Sequence, residues 1–313
     1  MKIIKKKDKI FLAGHNGLLG SSILKKLKEF GYKNIITIPK KKLDLRDQLK
    51  VKKFLEKTKP KIVIIAAARV GGIFANNKYR ADFIYDNLTI QNNLIHSSYK
   101  NNIRHLIFFG SSCIYPRLAK QPIQEESLLT SELEYTNEPY AIAKIAGIKM
   151  CESYNHQYKT NYKCLMPTNT YGPNDNYDLK TSHFYPALLK KIYLAQKNKK
   201  KIIEVWGTGK AKRELIYVDD IADACIFFMN KKTNDTLINI GTGKDYTITW
   251  YAKFIQKILK TNFKIKYNKK FPDGTPRKVL NISKAKKYGW RPKTTLKKGT
   301  LLTYKNFIEK YEN

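Results

Sequence analysis

Tyr140 and Lys144 have the residue types and the spacing of a proton-transfer pair. They are four positions apart in a segment predicted to be helical, and residues at that spacing share one helix face. A lysine ammonium beside a phenol favours the phenolate and lowers the pKa of the tyrosine. Such a tyrosine can exchange a proton with a carbonyl oxygen while a hydride moves to or from the carbon. By itself the pair is frequent, and an ordinary helix face is the alternative interpretation.

A glycine-rich turn precedes this pair and makes the interpretation more specific. Gly14, Gly17 and Gly20 follow a short apolar strand and open a helix. The first glycine permits the tight turn, the second allows close approach of a pyrophosphate, and the third lets helix and strand pack together. The free N–H groups and dipole of the helix N-terminus then face the diphosphate. The sequence thus predicts a dinucleotide site that includes Gly14, Asn16, Gly17, Leu18, Leu19 and Gly20.

The end of the second predicted strand indicates which dinucleotide binds. A site for NAD usually has an acid there, whereas a basic group accommodates the 2′-phosphate of NADP. This chain has Lys40, Lys41 and Lys42, which favours NADP(H), although a solvated lysine loop is the alternative. Asp44 and Leu45 follow, and we expect the carboxylate to accept from the adenine amino group while the leucine packs on the ring.

The segments that must position these residues alternate between strand and helix through the first half of the chain. We predict strands at 10–13, 34–38, 62–68 and 106–109, with helices beginning at 18, 49 and 87. This alternation is typical of an α/β fold with a Rossmann-type doubly wound parallel sheet. Ser111 follows the fourth strand, so its hydroxyl is predicted to lie at the carboxyl edge of the sheet, where ligands bind.

The pattern changes after about residue 172, where prolines interrupt shorter periodic segments. A helix over 213–229 and a strand over 237–240 are predicted to return to the sheet. We therefore predict two parts: a nucleotide-binding domain of residues 1–172 with about 213–242, and a smaller C-terminal substrate lobe of about 173–212 with 243–313.

The composition is strongly basic, with 61 Lys and Arg against 25 Asp and Glu and a formal charge of +36. A field of this sign attracts polyanions. However, the lysine runs are short and scattered, and no nucleic-acid-binding motif accompanies them. A lysine-rich composition on solvated faces is the preferred explanation, and a substrate that carries a diphosphate would also suit it.

Other sequence features point to a cytoplasmic enzyme without a metal. No apolar run approaches the length of about 20 residues that crosses a bilayer. The basic N-terminus lacks an apolar segment of signal-peptide length. The four cysteines, Cys113, Cys151, Cys164 and Cys225, show neither metal-ligand spacing nor the density of a disulfide framework.

The glycine turn with Ser111, Tyr140 and Lys144 resembles the extended short-chain dehydrogenase/reductase family. Longer blocks extend the resemblance to the GDP-L-fucose synthase family, an NADPH-dependent group that epimerises and reduces a 4-keto-6-deoxy GDP-sugar. Several blocks in the right order are far more specific than any one of them. Those blocks are 67–73, 110–116, 137–147, 166–173 and 272–278.

The resemblance implies roles that spacing alone would not assign. Cys113 and His183 would be the acid–base pair for epimerisation at the carbons beside the ketone; the alternatives are a packing thiol and a structural histidine. The resemblance also implies a homodimer, joined through helices near Asn87 and Tyr140. Residues implied to contact the cofactor are Lys144, Pro167, Asn169, Thr170 and His183, and those implied to contact the GDP-sugar are Lys191, Trp206, Arg213 and Asp273.

The chain departs from the family pattern at one position, and other functions would share some of the same residues. The family often has arginine where this chain has Asn16, so Lys40 to Lys42 would have to supply the charge for the 2′-phosphate. A related enzyme such as a GDP-L-colitose synthase would share Cys113 and His183, whereas a simple C4 reductase or 4-epimerase would not need Cys113. A protein of a different class, which senses NADP or binds nucleic acid on a Rossmann fold, is disfavoured by the intact Ser111, Tyr140 and Lys144.

Overall fold

A computed structural model describes residues 3–311 of the chain. The predicted domain ranges extend to residues 1–2 and 312–313, which lie outside the described part. The strands are β1 Ile10–Ala13, β2 Ile35–Ile36, β3 Ile62–Ile65, β4 His105–Phe109, β5 Asn161–Pro167, β6 Asn169–Tyr171, β7 Ile202–Trp206, β8 Lys212–Tyr217, β9 Leu237–Ile240, β10 Asp245–Thr247, β11 Lys264–Asn268 and β12 Arg277–Lys278. The α-helices are α1 Leu18–Glu29, α2 Gln48–Thr58, α3 Ile73–Lys78, α4 Arg80–Lys100, α5 Glu138–Tyr158, α6 Phe184–Lys197, α7 Val218–Asn230, α8 Ile248–Ile258, α9 Ser283–Tyr288 and α10 Leu296–Tyr311.

Six strands form one parallel sheet in the spatial order β2-β1-β3-β4-β5-β9. All residues of β1, β3 and β9 are buried, as expected for strands covered on both faces. The strand order reverses between β1 and β3, and ligands bind at such a switch point. The predicted doubly wound parallel sheet is confirmed.

Helices cover the two faces of this sheet. On one face, α1 packs beside α7, and Ile23 and Ile221 contribute to one apolar core. On the other, α4 packs against α2 and α5, and Val51, Leu94 and Ile148 contribute to a second core. The carboxyl edge of the sheet lies between the two helix layers, and ligands bind at this edge in such folds.

A second group of elements is built mainly from residues after 168. Strand β8 pairs with β6, β10 and β12, while β7 and β11 form a separate two-stranded sheet. Their core is aromatic, with Tyr185 from α6, Tyr251 from α8 and Phe307 from α10. This group lies beside the carboxyl ends of β4 and β5, because β6 follows directly from β5.

Most of the predicted elements are confirmed, but the predicted helix over 213–229 is wrong in its first part. Residues 213–217 belong to strand β8, and helix α7 begins only at Val218. Strands line both edges of β8, so sheet pairing fixes this segment as extended. Asp219 and Asp220 lie in the first turn of α7, where carboxylates favour a helix start.

Candidate active site

The glycine turn between β1 and α1 forms a cradle of bare backbone. Gly14 has φ +89°, and a Cβ there would lie 2.6 Å from the amide nitrogen of Ala67. A Cβ at Gly20 would overlap the carbonyl oxygen of Gly14. Gly17 caps α1 without any side-chain hydrogen bond, and Asn16 and Gly17 are exposed. The first N–H groups of the helix, at Leu18 and Leu19, are therefore open to an anion, and the cradle fits a dinucleotide pyrophosphate.

The segment after β2 contains a further cation, Arg46, besides the predicted lysines. Lys40, Lys41 and Lys42 form an exposed turn. Arg46 donates to both carboxylate oxygens of Asp44, which holds the pKa of Asp44 down at about 2. Arg46 also pairs with Asp86, and Arg69 pairs with the other oxygen of that carboxylate. Leu45 is half-buried against the core.

Ser111 and Cys113 lie just beyond the end of β4. Ser111 precedes a short 3-10 helix, Ser112–Ile114, and its hydroxyl accepts from the backbone N–H of Cys113 at 3.4 Å. The Cys113 side chain is buried. Burial raises the pKa of the thiol, while the charges of Lys278 and Lys144 and a hydrogen bond to Ser111 act in the opposite direction.

Tyr140 and Lys144 lie in the first two turns of α5, and the predicted helix is confirmed. The Lys144 ammonium donates to the carbonyl oxygen of Phe109 at 2.9 Å and lies 5.8 Å from the centre of the Tyr140 ring. Burial lowers the pKa of Lys144 to about 8. The predicted lowering of the Tyr140 pKa is wrong: burial raises that pKa well above its usual value. The phenol thus keeps its proton at neutral pH.

His183 faces Ser111, Cys113 and Tyr140 across one cavity of about 400 Å³. It is the residue before α6, and its ring is accessible within the cavity. Desolvation by the cavity walls, and then the charge of Lys278, lowers its pKa. A thiol, an imidazole and a phenol around one space can move protons to and from several atoms of a bound molecule.

Three residues implied to contact the nicotinamide follow one another near the junction of β5 and β6. Pro167 is the buried last residue of β5, opposite Ile240. Asn169 lines the cavity, and its amide donates to the carbonyl oxygen of Glu214 at 2.9 Å. The Thr170 hydroxyl donates to the carbonyl oxygen of Thr168.

Arg213, on β8, is a buried cation in the cavity wall. Its Nη1 donates to the carbonyl oxygens of Lys212 and Thr275, and its Nη2 donates to that of Asp273. A guanidinium has five N–H donors. The two remaining donors, one on Nε and one on Nη2, form the side-on pair that engages phosphate oxygens bidentately.

Trp206 presents less free surface than was expected. Phe271 stacks on it with ring centres 3.9 Å apart and an interplanar angle of 8°. The Lys191 ammonium lies 4.8 Å from the centre of the same ring and donates to the carbonyl oxygen of Glu204 at 3.0 Å. All three side chains line the cavity, so a planar ligand meets an aromatic pair rather than a lone indole.

Asp273 also lines the cavity, but its carboxylate already has partners. One oxygen accepts from the Thr208 backbone N–H at 2.8 Å and the other from the Thr208 hydroxyl at 2.7 Å. Its carbonyl oxygen accepts from Arg213. The carboxylate thereby fixes the turn after β7 and, through the backbone, helps to orient Arg213.

Sequence reasoning missed three further residues of the cavity wall. Lys278, Glu134 and Phe271 all line it. Lys278 and Phe271 lie in or beside the block 272–278 that carried the resemblance, but no spacing rule marked them. Glu134 is buried and pairs with Arg117, and nothing in its local sequence distinguishes it from other acids.

Two kinds of feature are missing from residues 3–311. Their His, Cys, Asp and Glu side chains form no group of three that could hold a metal ion. Their helices do not combine the length and the apolar character that crossing a membrane requires.

The chain is similar in sequence and in structure to known proteins. Residues 10–241 match the family model described as "NAD dependent epimerase/dehydratase family". GDP-L-fucose synthase 1 of Arabidopsis thaliana is 47% identical over 97% of this chain and 94% of its own length. GDP-L-fucose synthase of Escherichia coli (strain K12) is 44% identical over 97% of both chains. A GDP-D-glycero-L-gluco-heptose synthase from Campylobacter jejuni, solved in the presence of NADPH, superimposes with a TM-score of 0.87 at 37% identity, covering 98% of this chain and 99% of that one.

Proposed function

Because the chain belongs to the NAD dependent epimerase/dehydratase family, we propose that it acts as a GDP-L-fucose synthase, an oxidoreductase that is also an isomerase. It epimerises GDP-4-keto-6-deoxy-D-mannose at C3 and C5 and then reduces C4 to give GDP-L-fucose. The observation that carries this proposal is that Cys113 and His183 share one cavity with Ser111 and Tyr140. Relatives of the same activity at 44–47% identity support it.

The cofactor is NADP(H). When bound, NADPH supplies the hydride that reduces C4. The backbone cradle from Gly14 to Gly20 holds the pyrophosphate, and the exposed turn of Lys40 to Lys42 supplies positive charge for the 2′-phosphate. Pro167, Asn169 and Thr170, at the carboxyl end of β5, border the nicotinamide, where His183 and Lys144 also contact the cofactor.

Epimerisation uses Cys113 and His183 on opposite faces of the sugar. The C3 and C5 protons are acidic because the C4 ketone can take up the electron pair as an enolate. One group accepts the proton from the carbon with its lone pair, and the other donates a proton to the opposite face of the same carbon. The structure favours neutral thiol and imidazole, so the reactive pair forms when one proton passes from the thiol to the imidazole.

Reduction uses Tyr140 as the acid. Burial raises its pKa, so the phenol holds its proton at neutral pH and can deliver it when negative charge develops on the C4 oxygen. The Lys144 ammonium, anchored on the Phe109 carbonyl, stabilises the phenolate that remains. The Ser111 hydroxyl donates to the same C4 oxygen.

The GDP end of the substrate is held by the second group of elements. Arg213 offers its two unused donors to the diphosphate, and Lys191 adds a positive charge. The stacked Trp206 and Phe271 give the base or ribose a flat apolar surface. Asp273 contacts the substrate beside the turn after β7, which its carboxylate fixes through Thr208. We accordingly propose the division predicted from sequence, in which residues 1–172 with about 213–242 bind NADP(H) and about 173–212 with 243–313 bind the GDP-sugar. Arg213 is the exception, because β8 pairs with the strands of the second group.

We also propose a homodimer in the cytoplasm. Helices α4 and α5 lie side by side, and each exposes a large apolar side chain, Tyr85 and Ile142 respectively. Burying such side chains against a second copy is favourable. All four cysteines are free thiols, which suits a reducing compartment.

The test is NADPH oxidation with GDP-4-keto-6-deoxy-D-mannose, followed by loss of the NADPH absorbance, with the sugar product identified by NMR. The expected product is GDP-L-fucose. A matched reaction with Tyr140→Phe should consume little NADPH, and a parallel reaction with NADH compares the cofactors.

Other outcomes separate the alternatives. A product reduced at C4 without inversion at C3 and C5 would contradict the epimerase role of Cys113 and His183. Turnover only with a dideoxy GDP-sugar would favour a GDP-L-colitose synthase. An absence of turnover, together with salt-dependent DNA binding, would favour an NADP-sensing or nucleic-acid-binding protein.

A further inference from the structure

Lys278 has a backbone that is fixed from both sides. On β12 it lies opposite Arg213 of β8. On the other side, the next residue, Val279, makes two hydrogen bonds. Its carbonyl oxygen accepts from the N–H of Ile123, and its N–H donates to the side-chain oxygen of Gln121. Successive strand residues point to opposite faces. Arg277 points outward and pairs with Asp245 at 2.7 Å, and Lys278 lines the cavity.

The Lys278 ammonium is a cation that interacts electrostatically with Cys113 and Glu134. Within residues 3–311, no hydrogen bond or ion pair holds it, in contrast to the neighbouring Arg213 with its three carbonyl partners. The carboxylate that shares the cavity wall, Glu134, pairs with Arg117 at 3.1 Å. The positive charge of Lys278 is therefore available to a group inside the cavity.

The thiol of Cys113 is the group that this charge can stabilise as an anion. Both side chains line the same cavity as His183. We propose that Lys278 is a positioning residue for epimerisation, which acts through Cys113 by stabilising its thiolate and so makes Cys113 rather than His183 the base.

Electrostatics of the surrounding groups support this assignment. Lys278 is the strongest influence that lowers the pKa of Cys113, ahead of Ser111 and Lys144. The same charge lowers the pKa of His183, which makes its imidazolium a stronger acid once the proton of the thiol has reached it. Lys278 on β12 and Lys144 and Tyr140 on α5 interact electrostatically with Cys113. Arg213 from β8, and Glu134 and His183 from the loops before α5 and α6, line the same cavity.

The proton balance of the step is simple. The proton removed from the sugar carbon goes to the Cys113 sulfur, and the electron pair of the broken C–H bond enters the enolate. The imidazolium of His183 gives its proton to the opposite face. Lys278 keeps its own proton throughout, although burial lowers its pKa to about 8. The catalytic meaning of this assignment rests on the proposed function, but the electrostatic claim does not.

The experiment measures the rate at which iodoacetamide alkylates Cys113 as a function of pH, with the Cys113 peptide quantified by mass spectrometry. The proteins compared are wild type, Lys278→Met, Lys278→Arg and the matched control Arg277→Met, which removes the adjacent cation that points outward. Because no sugar substrate is present, the result does not depend on the proposed function.

We expect Lys278→Met to move the alkylation profile to higher pH and to slow the reaction about tenfold at neutral pH, the effect of one pKa unit. Lys278→Arg should largely restore the wild-type profile, and Arg277→Met should leave it unchanged. An unshifted profile in a folded Lys278→Met protein would overturn the proposal. So would an equal shift in Arg277→Met, because the effect would then be one of general surface charge.

A second measurement covers the case in which Lys278→Met does not fold. Lys278→Gln keeps a polar, hydrogen-bonding side chain but removes the charge, and circular dichroism checks that the fold is retained. With the GDP-4-keto sugar, this variant should lose solvent-deuterium exchange at C3 and C5 while C4 reduction is less affected. Equal losses in both steps would indicate a role in substrate binding instead and would contradict the assignment to Cys113.

Discussion

The dinucleotide cradle and the far wall of the cavity are built by different means. The cradle is made of backbone from one continuous stretch, Gly14 to Gly20, whose shape depends on the absence of side chains. The far wall is made of side chains on separate strands and loops, including Arg213, Trp206 and Lys278. No two of these three are adjacent in the chain.

This difference predicts how each region responds to amino-acid substitution. An added methyl group in the cradle meets backbone atoms that cannot move aside. A changed side chain in the far wall alters charge or contact while the strand that carries it keeps its partners. Substitutions in the cradle should therefore act on folding and cofactor binding together, and substitutions in the wall should act on chemistry or substrate affinity alone.

The largest expected effect is at Cys113, which lines the same cavity from the end of β4. Cys113→Ser should slow epimerisation about 10²- to 10⁴-fold, the usual contribution of a general acid or base, and leave some direct reduction of the ketone. Isotope exchange at C3 and C5 measured by NMR, alongside NADPH consumption, separates the two steps. Cys151→Ala, which removes a buried thiol outside the cavity, is the control. Full epimerisation by Cys113→Ser would contradict the assigned role.

The next effect tests the cradle. Gly20→Ala places a Cβ against the carbonyl oxygen of Gly14, and overpacking of this kind costs about 1–3 kcal/mol of unfolding free energy. We expect a lower midpoint in denaturant and a loss of NADPH binding. Gly17→Ala is the matched control, because its Cβ would lie 3.6 Å from that same oxygen. If both variants were equally stable, the view that backbone contacts define the cradle would be wrong.

A smaller effect is expected at Arg213. Arg213→Lys keeps the charge but loses the two side-on donors, so KM for the GDP-sugar should rise about tenfold while kcat changes less. Steady-state kinetics measure both constants. Arg277→Lys, on the neighbouring strand and paired with Asp245, should behave as wild type. A fall in kcat at unchanged KM would place Arg213 at the reacting carbons instead.

A further effect, on stability rather than on activity, concerns Glu214 of β8. Its buried carboxylate accepts from the backbone N–H groups of Thr242, Gly243 and Leu280, yet desolvation raises its pKa to about 7. A pKa raised above the unfolded value of 4.5 means that the folded state binds more protons between those limits. The contribution of Glu214 to stability is therefore present below pH 4.5 and declines as pH rises to 7.

Glu214→Gln should remove this dependence. Denaturant unfolding at several pH values is the measurement, and the wild-type curve should fall relative to the variant by at most about 1.4 kcal/mol per pH unit. Parallel curves across pH 4.5 to 7 would show that the carboxylate is ionised in the folded protein and that the hydrogen bonds dominate over desolvation.

The accuracy of the sequence predictions follows the same division between the two regions. The strands and helices around the cradle are confirmed because each is a local apolar pattern. The segment 213–217 is predicted as a helix but forms a strand. Local sequence could not indicate this, because the strands that pair with it, β6, β10 and β12, lie far away in the chain. The roles of Cys113 and His183 came from the resemblance of longer blocks and remain predictions, as do those of Lys191, Trp206 and Asp273.

By itself the sequence determined the parallel sheet, the glycine cradle and the pairing of Tyr140 with Lys144 on one helix face, since each depends on residues close together in the chain. Only the tertiary structure decided that Lys278 lies near Cys113 and that Phe271 covers Trp206. It also decided that burial raises the Tyr140 pKa where a neighbouring ammonium was expected to lower it. Burial and charge act through space, and the folded chain alone sets which distant groups share one cavity.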